Sequence, residues 1–212
     1  MKIAPDAVKR RVPQQERAEQ RVAGLLEAAA AEIAAVGYEA ATMTAIAERA
    51  GASIGAVYQY FPNKEAVVRA LRDQYGNQME QRWSALGVNA AQLSVEQLVE
   101  RIFDLMVLFM EEHPAYIPLL SAPLAYRRDP QARDRLREHF AQLFRQRQPQ
   151  LAHDQALRMA NVTLQLVKGL NQLYGDARPK ERKLLVLEFK LAVAAYLNLG
   201  LAPAPAATLH KE

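Results

Sequence analysis

The chain is 212 residues long, 50% hydrophobic and 24% charged, with 27 Lys plus Arg against 23 Asp plus Glu and a net charge of +4. That apolar share suits one or two compact domains with a sizeable core and excludes a disordered chain. The absence of cysteine excludes disulfide frameworks, thiolate zinc sites, iron–sulfur clusters and cysteine nucleophiles, and is compatible with a reducing cytoplasm.

Nine Gly and eleven Pro leave little material for a turn-rich β fold, and residues that keep their side-chain freedom in a helix dominate, so an all-α protein is expected. Residues 1–22 are polar and charged, without the apolar stretch of a signal peptide. A first helix is predicted over about 14–36, where Val22, Leu25, Leu26, Ala29, Ile33 and Val36 recur at steps of three and four before Gly37. A short second helix opens at Thr42 or Thr44 and closes at Gly51; Ser53 caps a third that stops near Tyr60, ahead of Pro62. Asn63 caps a fourth, carrying Val67, Val68, Leu71, Tyr75, Met79 and Trp83. The periodicity then lapses at 87–91, and a domain boundary is placed there.

Ser94 with Gln97 forms a capping-box start for a helix near residue 95, whose apolar stripe Leu98, Ile102, Leu105, Met106 and Phe109 ends at His113 and Pro114. Residues 113–126 are charge-free and broken by Pro114, Pro118 and Pro123, which predicts short helix or irregular backbone. Helix returns over about 129–147 with many Arg, Asp154 is expected to cap a long helix to Tyr174, and Pro179 opens a last one ending at Gly200. Residues 1–13 are expected to form a flexible arm, 14–86 and 87–201 two helical domains, and 202–212 a frayed tail. The longest charge-free run, 191–210, is interrupted by Asn198, Gly200, Pro203 and Pro205 and is too short to span a bilayer. A soluble cytoplasmic protein without a membrane partner is expected.

Function is concentrated in the run TMTAIAERAGASIGAVYQYFPNK, residues 42–64. Two short helices about a Gly turn make a helix-turn-helix. On the second, Val57 and Phe61 share one side with Ala56, while Ile54, Gly55, Tyr58 and Gln59 share the other. An amide, an aromatic hydroxyl and a glycine on an exposed helix suit a DNA groove: Gln makes paired hydrogen bonds to adenine, Tyr reaches phosphates, and Gly lets backbone approach closely. Thr44 and Lys64, at helix starts, add phosphate donors.

These residues resemble the DNA-binding core of the tetracycline-repressor-type (TetR) family of bacterial regulators. The resemblance covers about residues 18–68: Gly37 closing helix one, Ile46-Ala47 and Ala50-Gly51 in helix two and its turn, Tyr58-Gln59-Tyr60-Phe61 in the recognition helix, and Lys64-Glu65 opening helix four. It implies an N-terminal helix-turn-helix DNA-binding domain, including the connecting fourth helix, and a helical ligand-binding and dimerisation domain. It implies that Tyr58 and Tyr60 grip phosphates, that Gln59 and Gly55 face bases, and that Thr44, Ser53 and Lys64 bind the DNA backbone. Ile54 departs from members with Lys or Arg at that position, exchanging a cationic contact for one to a thymine methyl. Implied partners are a double-stranded DNA operator, near-palindromic, a second copy of the chain and a small effector. The implied mechanism is a ligand-released repressor.

For the second half, Met106, Phe109, Met110 and His113 share a helical face, followed by Tyr116 and Tyr126. Adaptable Met and aromatic side chains beside broken helix suit the wall of a cavity for an apolar or amphipathic molecule, or ordinary core. Asn161, Gln165 and Asn171 either orient such a ligand or face solvent. The last two helices resemble the family's dimerisation pair, which makes Leu164, Val167, Leu170, Leu187, Leu191 and Ala194 interface candidates, with intrachain core as the rival reading.

Charge does not advertise the DNA-binding half, because the first 86 residues hold 11 basic and 10 acidic side chains. The densest basic cluster, from Arg127 to Arg147, has Asp129, Asp134 and Glu138 interspersed and is expected to be a solvated face. Lys2, Lys9, Arg10 and Arg11 either follow DNA or belong to a solvated tail. Catalysis is not expected: His113, His139, His153 and His210 are scattered, residues 111–113 lack the second His of a zinc-protease helix, and no phosphate loop or nucleophile elbow occurs. No cofactor or metal is expected. The rival from another class is a helical small-molecule carrier or interaction protein with a vestigial DNA-binding half.

Overall fold

The computed structural model describes residues 14–88, 92–124 and 129–202. The N-terminal arm, Tyr126, Arg127, Arg128 and the C-terminal tail lie outside the described residues. Within them, nine α-helices follow in order: α1 Gln14–Ala40, α2 Met43–Arg49, α3 Ile54–Tyr60, α4 Lys64–Ser84, α5 Val95–Glu112, α6 Tyr116–Ser121, α7 Pro130–Arg147, α8 His153–Asp176 and α9 Pro179–Leu201. The fold is all-α, with an N-terminal helix-turn-helix domain and a C-terminal helical domain.

Helix ends follow local chemistry. The regular run of α1 breaks at Gly37, whose φ of 80° suits a residue without Cβ, and the turn beyond carries the chain to Ala40. Thr42, not Thr44, caps α2 by accepting the Ala45 N–H at 3.1 Å. Ser53 caps α3 through the Ala56 N–H at 3.2 Å, and Asn63 caps α4 through Ala66 at 2.8 Å. Both halves of the capping box form at α5: Gln97 N–H donates to Ser94 Oγ at 3.1 Å, and Ser94 N–H to Gln97 Oε1 at 2.8 Å. The proline-broken stretch forms the short α6, with Pro118 in a first turn that needs no N–H donor. Asp154 is not the cap expected for α8: the helix begins one residue earlier, after Ala152, and Asp154 sits in the first turn, where its charge still suits the helix N-terminus.

One continuous core runs through both halves. Leu25, Ala29 and Ile33 of α1 meet Ile46 and Ala47 of α2, Val57 of α3 and Val67, Val68 and Leu71 of α4, all buried. Tyr75, Met79 and Trp83 carry α4 onward against α5 and α7. The Trp83 indole N–H donates to the Ile102 carbonyl at 3.4 Å, and its ring meets Phe140 edge-on at 5.9 Å. Helix α4 therefore belongs to both cores and joins them. α6 packs against α1, α4 and α8, while α8 lies between α7 and α9. Lys190 ties α9 to α5 through Asp104, at 2.8 Å, and Glu100. Burial works against that ammonium, but the two carboxylates outweigh it and hold its pKa above the ordinary value.

Helix α9 departs from expectation. It is long and apolar enough to cross a membrane by length and composition, with only 17% of its apolar window buried. Leu184, Leu187, Leu191 and Leu199 are exposed along it, Leu191 at 67% and Leu199 at 82%. The charge-free run starting at Leu191 missed this segment, because Glu188 and Lys190 lie inside the helix.

Candidate nucleic-acid interface and neighbouring cavity

Helix α3 is seven residues long and depends on its neighbours for stability, since a lone helix this short does not persist in water. Val57 and Phe61 are buried and anchor it from behind; Ser53, Ile54, Gly55, Tyr58 and Gln59 are exposed, and Ala56 and Tyr60 half-buried. Tyr58 stands 51% exposed. The two faces divide as the sequence predicts. Gly51, at φ 60°, makes the turn between α2 and α3. Arg49 locks α2 onto α1 through Glu32, whose Oε2 accepts from Nη2 at 2.8 Å and Nε at 3.0 Å. Thr44 is exposed in the first turn of α2. Because Ser53 Oγ acts as an acceptor in its cap, its own hydroxyl proton is left to donate outward.

Lys64 is placed differently from its expected role. Its ammonium donates to the carbonyls of Tyr38, Glu39 and Ala41 at 2.8, 3.1 and 2.9 Å and lies 4.4 Å from the centre of the Tyr38 ring. All three donors of that group are committed to closing the turn after α1, so this side chain supports the motif and leaves no donor for phosphate.

Helices α4, α6, α7 and α8 line a partly open cavity of about 810 Å³, within the size range of small-molecule sites. Tyr75, Met79 and Trp83 line it from α4, Tyr116 and Leu119 from α6, Leu136 from α7 and Leu164 from α8. Its polar lining includes Ser121, Asn161, Gln165, Asn171 and Gln172, together with Arg72, Arg133, Arg137, Lys168, Glu80 and Asp176; Arg133 and Arg137 also pair with Asp134, at 3.9 and 3.0 Å. Arg72 also holds the C-terminal end of α6, donating to the carbonyls of Leu119 at 2.8 Å and Ala122 at 2.9 Å, with longer contacts to Leu120 and Leu124. Asn171 is 9% exposed; its Nδ2 donates to the Tyr116 hydroxyl at 3.4 Å, and its Oδ1 has no partner. Among the described residues, no cluster of three or more His, Cys, Asp or Glu has the geometry to hold a metal ion.

Two family models match the chain: "Bacterial regulatory proteins, tetR family" over residues 25–71, and "Tetracyclin repressor-like, C-terminal domain" over residues 94–197. The chain belongs to the TetR family. It is a transcriptional regulator of that family rather than an enzyme. Among solved structures, a TetR-family transcriptional regulator from Streptomyces coelicolor is similar with a TM-score of 0.63 and 21% identity, covering 84% of this chain and 98% of that one. A TetR transcriptional regulator from Rhodococcus sp. RHA1 gives 0.56 and 18%, covering 90% and 100%. The repressor AlkX from Dietzia, implicated in biodegradation of n-alkanes, gives 0.54 and 16%, covering 85% and 97%. No curated protein matches the sequence.

Within this TetR-family chain, the expected ligand residues separate into two groups. Tyr116, Asn161 and Gln165 line the cavity. Met106, Phe109 and Met110 are buried in the core instead, and His113 is half-buried. Phe109 packs between His113, at 4.3 Å, and Tyr116, at 5.1 Å, so that this cluster backs a cavity-lining residue rather than forming the wall. The α4 contributors Arg72, Tyr75, Met79 and Trp83 were not expected, because their spacing marks only the inner face of a helix. Arg72 was detectable as a cation beside Leu71 and Tyr75 in an otherwise apolar stripe. Arg133 and Arg137, expected on a solvated face, line the cavity.

The expected dimer residues also divide. Leu164, Val167 and Leu170 lie within the chain's own core and have no surface to offer a partner. Ala194 is half-buried, and Leu187 and Leu191 are exposed. On α8 the exposed apolar residues are instead Val162 and Leu173.

Proposed function

We propose that this regulator is a repressor that binds a near-palindromic operator as a homodimer and leaves it when a small molecule enters the cavity between α4, α6, α7 and α8. The observation that carries this reading is the outer face of α3. Ile54, Gly55, Tyr58 and Gln59 stand exposed together on a helix anchored from behind, so a base-reading amide and a phosphate-reaching hydroxyl are presented on rigid backbone. Thr44 and Ser53 add neutral donors at the edge of that face. Tyr60, half-buried, is the outer limit of the contact. Such recognition uses few net charges, consistent with the balanced first 86 residues.

Dimerisation is supported by α9. A helix exposing Leu184, Leu187 and Leu191 at steps of three and four presents an apolar stripe that water disfavours, and α8, which packs against α9, exposes Val162 and Leu173. A second copy related by a two-fold axis covers the stripe with itself. A bilayer span is the poorer fit, since Lys180, Glu181, Arg182, Lys183, Glu188 and Lys190 occupy the first half of the helix. With DNA as its target, the protein acts in the cytoplasm.

Hydroxyl-radical footprinting on DNA flanking the chain's own coding region tests the proposal. Two protected half-sites centred about 34–36 Å apart, or a multiple of that, are expected. Uniform weak protection, or a single half-site at saturating protein, contradicts it.

A further inference from the structure

We propose that α3 reads the 5-methyl group of a thymine through Ile54, so that the part of the operator half-site facing α3 is built of A·T pairs. The inference rests on α3 being the base-reading helix and adds which chemical groups it reads. Ile54 is 40% exposed and, unlike Val57, Tyr60 and Phe61, does not pack against the core. One exposed aliphatic side chain is ordinary on a protein surface; its position is what carries information. It stands on the same outer face as Gly55, Tyr58 and Gln59, where a groove-binding helix meets base edges.

The chemistry of the motif selects against guanine. Guanine is read most often by Arg or Lys, donating to its O6 and N7. Residues 42–64 hold two such side chains, Arg49 and Lys64. Arg49 donates to Glu32 through Nε and Nη2, and Lys64 donates to three carbonyls, so both are directed inward. Helix α3 itself, IGAVYQY, carries no charge. Its outer face presents an amide at Gln59, which matches adenine N6 and N7, and an aliphatic side chain at Ile54, whose complement in the major groove is the thymine methyl.

Reach and stiffness fit the same contact. Isoleucine is short, so it meets a methyl only where the helix backbone lies close to the bases. Gly55 provides that clearance. A Cβ built there meets no heavy atom within 4 Å, and the residue does not have positive φ, so neither packing nor backbone conformation requires a glycine. Its missing side chain instead lets the backbone beside Ile54 approach the groove. Because Ile54 is β-branched, its χ1 is restricted before docking, and little side-chain freedom is lost on contact.

The test uses the full chain and begins with selection of a preferred site from random duplex DNA. Each thymidine of that site is then replaced by deoxyuridine, first in one half-site and then in both. The replacement removes the methyl and keeps every hydrogen-bonding group of the base. Affinity is followed by fluorescence anisotropy. One thymidine position is expected to stand out, with binding about fourfold weaker per half-site, the worth of burying one methyl-sized group, and about fifteenfold weaker for the symmetric pair. In Ile54→Ala the thymidine and deoxyuridine sites bind equally; Ile54→Val retains part of the difference. Both substitutions lie outside the core, and urea melts verify that the variants are folded. A selected site without thymine, or uracil tolerated at every position, overturns the methyl contact. So does a uracil effect of wild-type size in Ile54→Ala, which assigns it to the DNA rather than to this side chain. In these three cases a preferred sequence is still bound, and the base-reading role of α3 stands. Selection that yields no preferred sequence overturns that role as well.

Discussion

Glu32 and Arg49 show how much of the DNA-reading geometry depends on one side-chain pair. Glu32 is nearly buried, and both hydrogen bonds from Arg49 converge on the same carboxylate oxygen. Arg49→Ala leaves that carboxylate without its partner, and a loss of about 1–3 kcal/mol is expected in urea denaturation. Unchanged stability would mean that solvent replaces the guanidinium fully. His113 offers a second test. Burial chiefly, and the charge of Arg82 next, hold its pKa below the ordinary 6.5, while Glu112 pulls the other way. The unfolded chain then binds more protons in acid, so His113 lowers stability as pH falls through and below its unfolded pKa and is neutral above it. Urea melts at about pH 7.5 and about pH 5 should show a smaller acid loss in His113→Phe than in wild type; equal losses would contradict the assignment. Neither pair is legible in the sequence. Residues 32 and 49 become neighbours only once α2 crosses α1, and His113 is one of four scattered imidazoles until its aromatic neighbours are known.

Helix α3 is the element whose sequence said most. Ser53, Pro62 and the Gly51 turn bound it within a residue, and the division between Val57 with Phe61 and Tyr58 with Gln59 follows from helical period alone. Lys64 fails the same logic because position at a helix start does not reveal which carbonyls lie within reach of a long side chain. The cavity was half legible for a related reason: Tyr116, Asn161 and Gln165 line it, but the wall from α4 depends on which helices converge. Gln59→Ala is expected to relax base preference at one position per half-site by about 1–3 kcal/mol of discrimination, as read by selection of binding sites from random DNA. Undiminished preference at every position would show that Gln59 does not face a base.

On the scale of the molecule, one core runs through both halves, and α4 packs against α1 at one end and lines the cavity at the other. The interface residues were the least legible, because helical period identifies apolar faces without saying whether the chain or a second copy covers them. Leu164, Val167 and Leu170 fill the chain's own core, while Leu187 and Leu191 face outward. Replacing both Leu187 and Leu191 by Glu is expected to give a folded monomer in sedimentation at micromolar concentration, with operator affinity lost. A dimer persisting in that variant would place the contact elsewhere. That α3 reads DNA is tested most directly by fluorescence anisotropy on DNA flanking the coding region, with unrelated duplex alongside, over a series of salt concentrations. Sequence-specific binding that weakens steeply with salt is expected, with an equal loss on both DNAs in Tyr58→Phe. Binding indifferent to sequence, or unaltered by both Tyr58→Phe and Gln59→Ala, would contradict it.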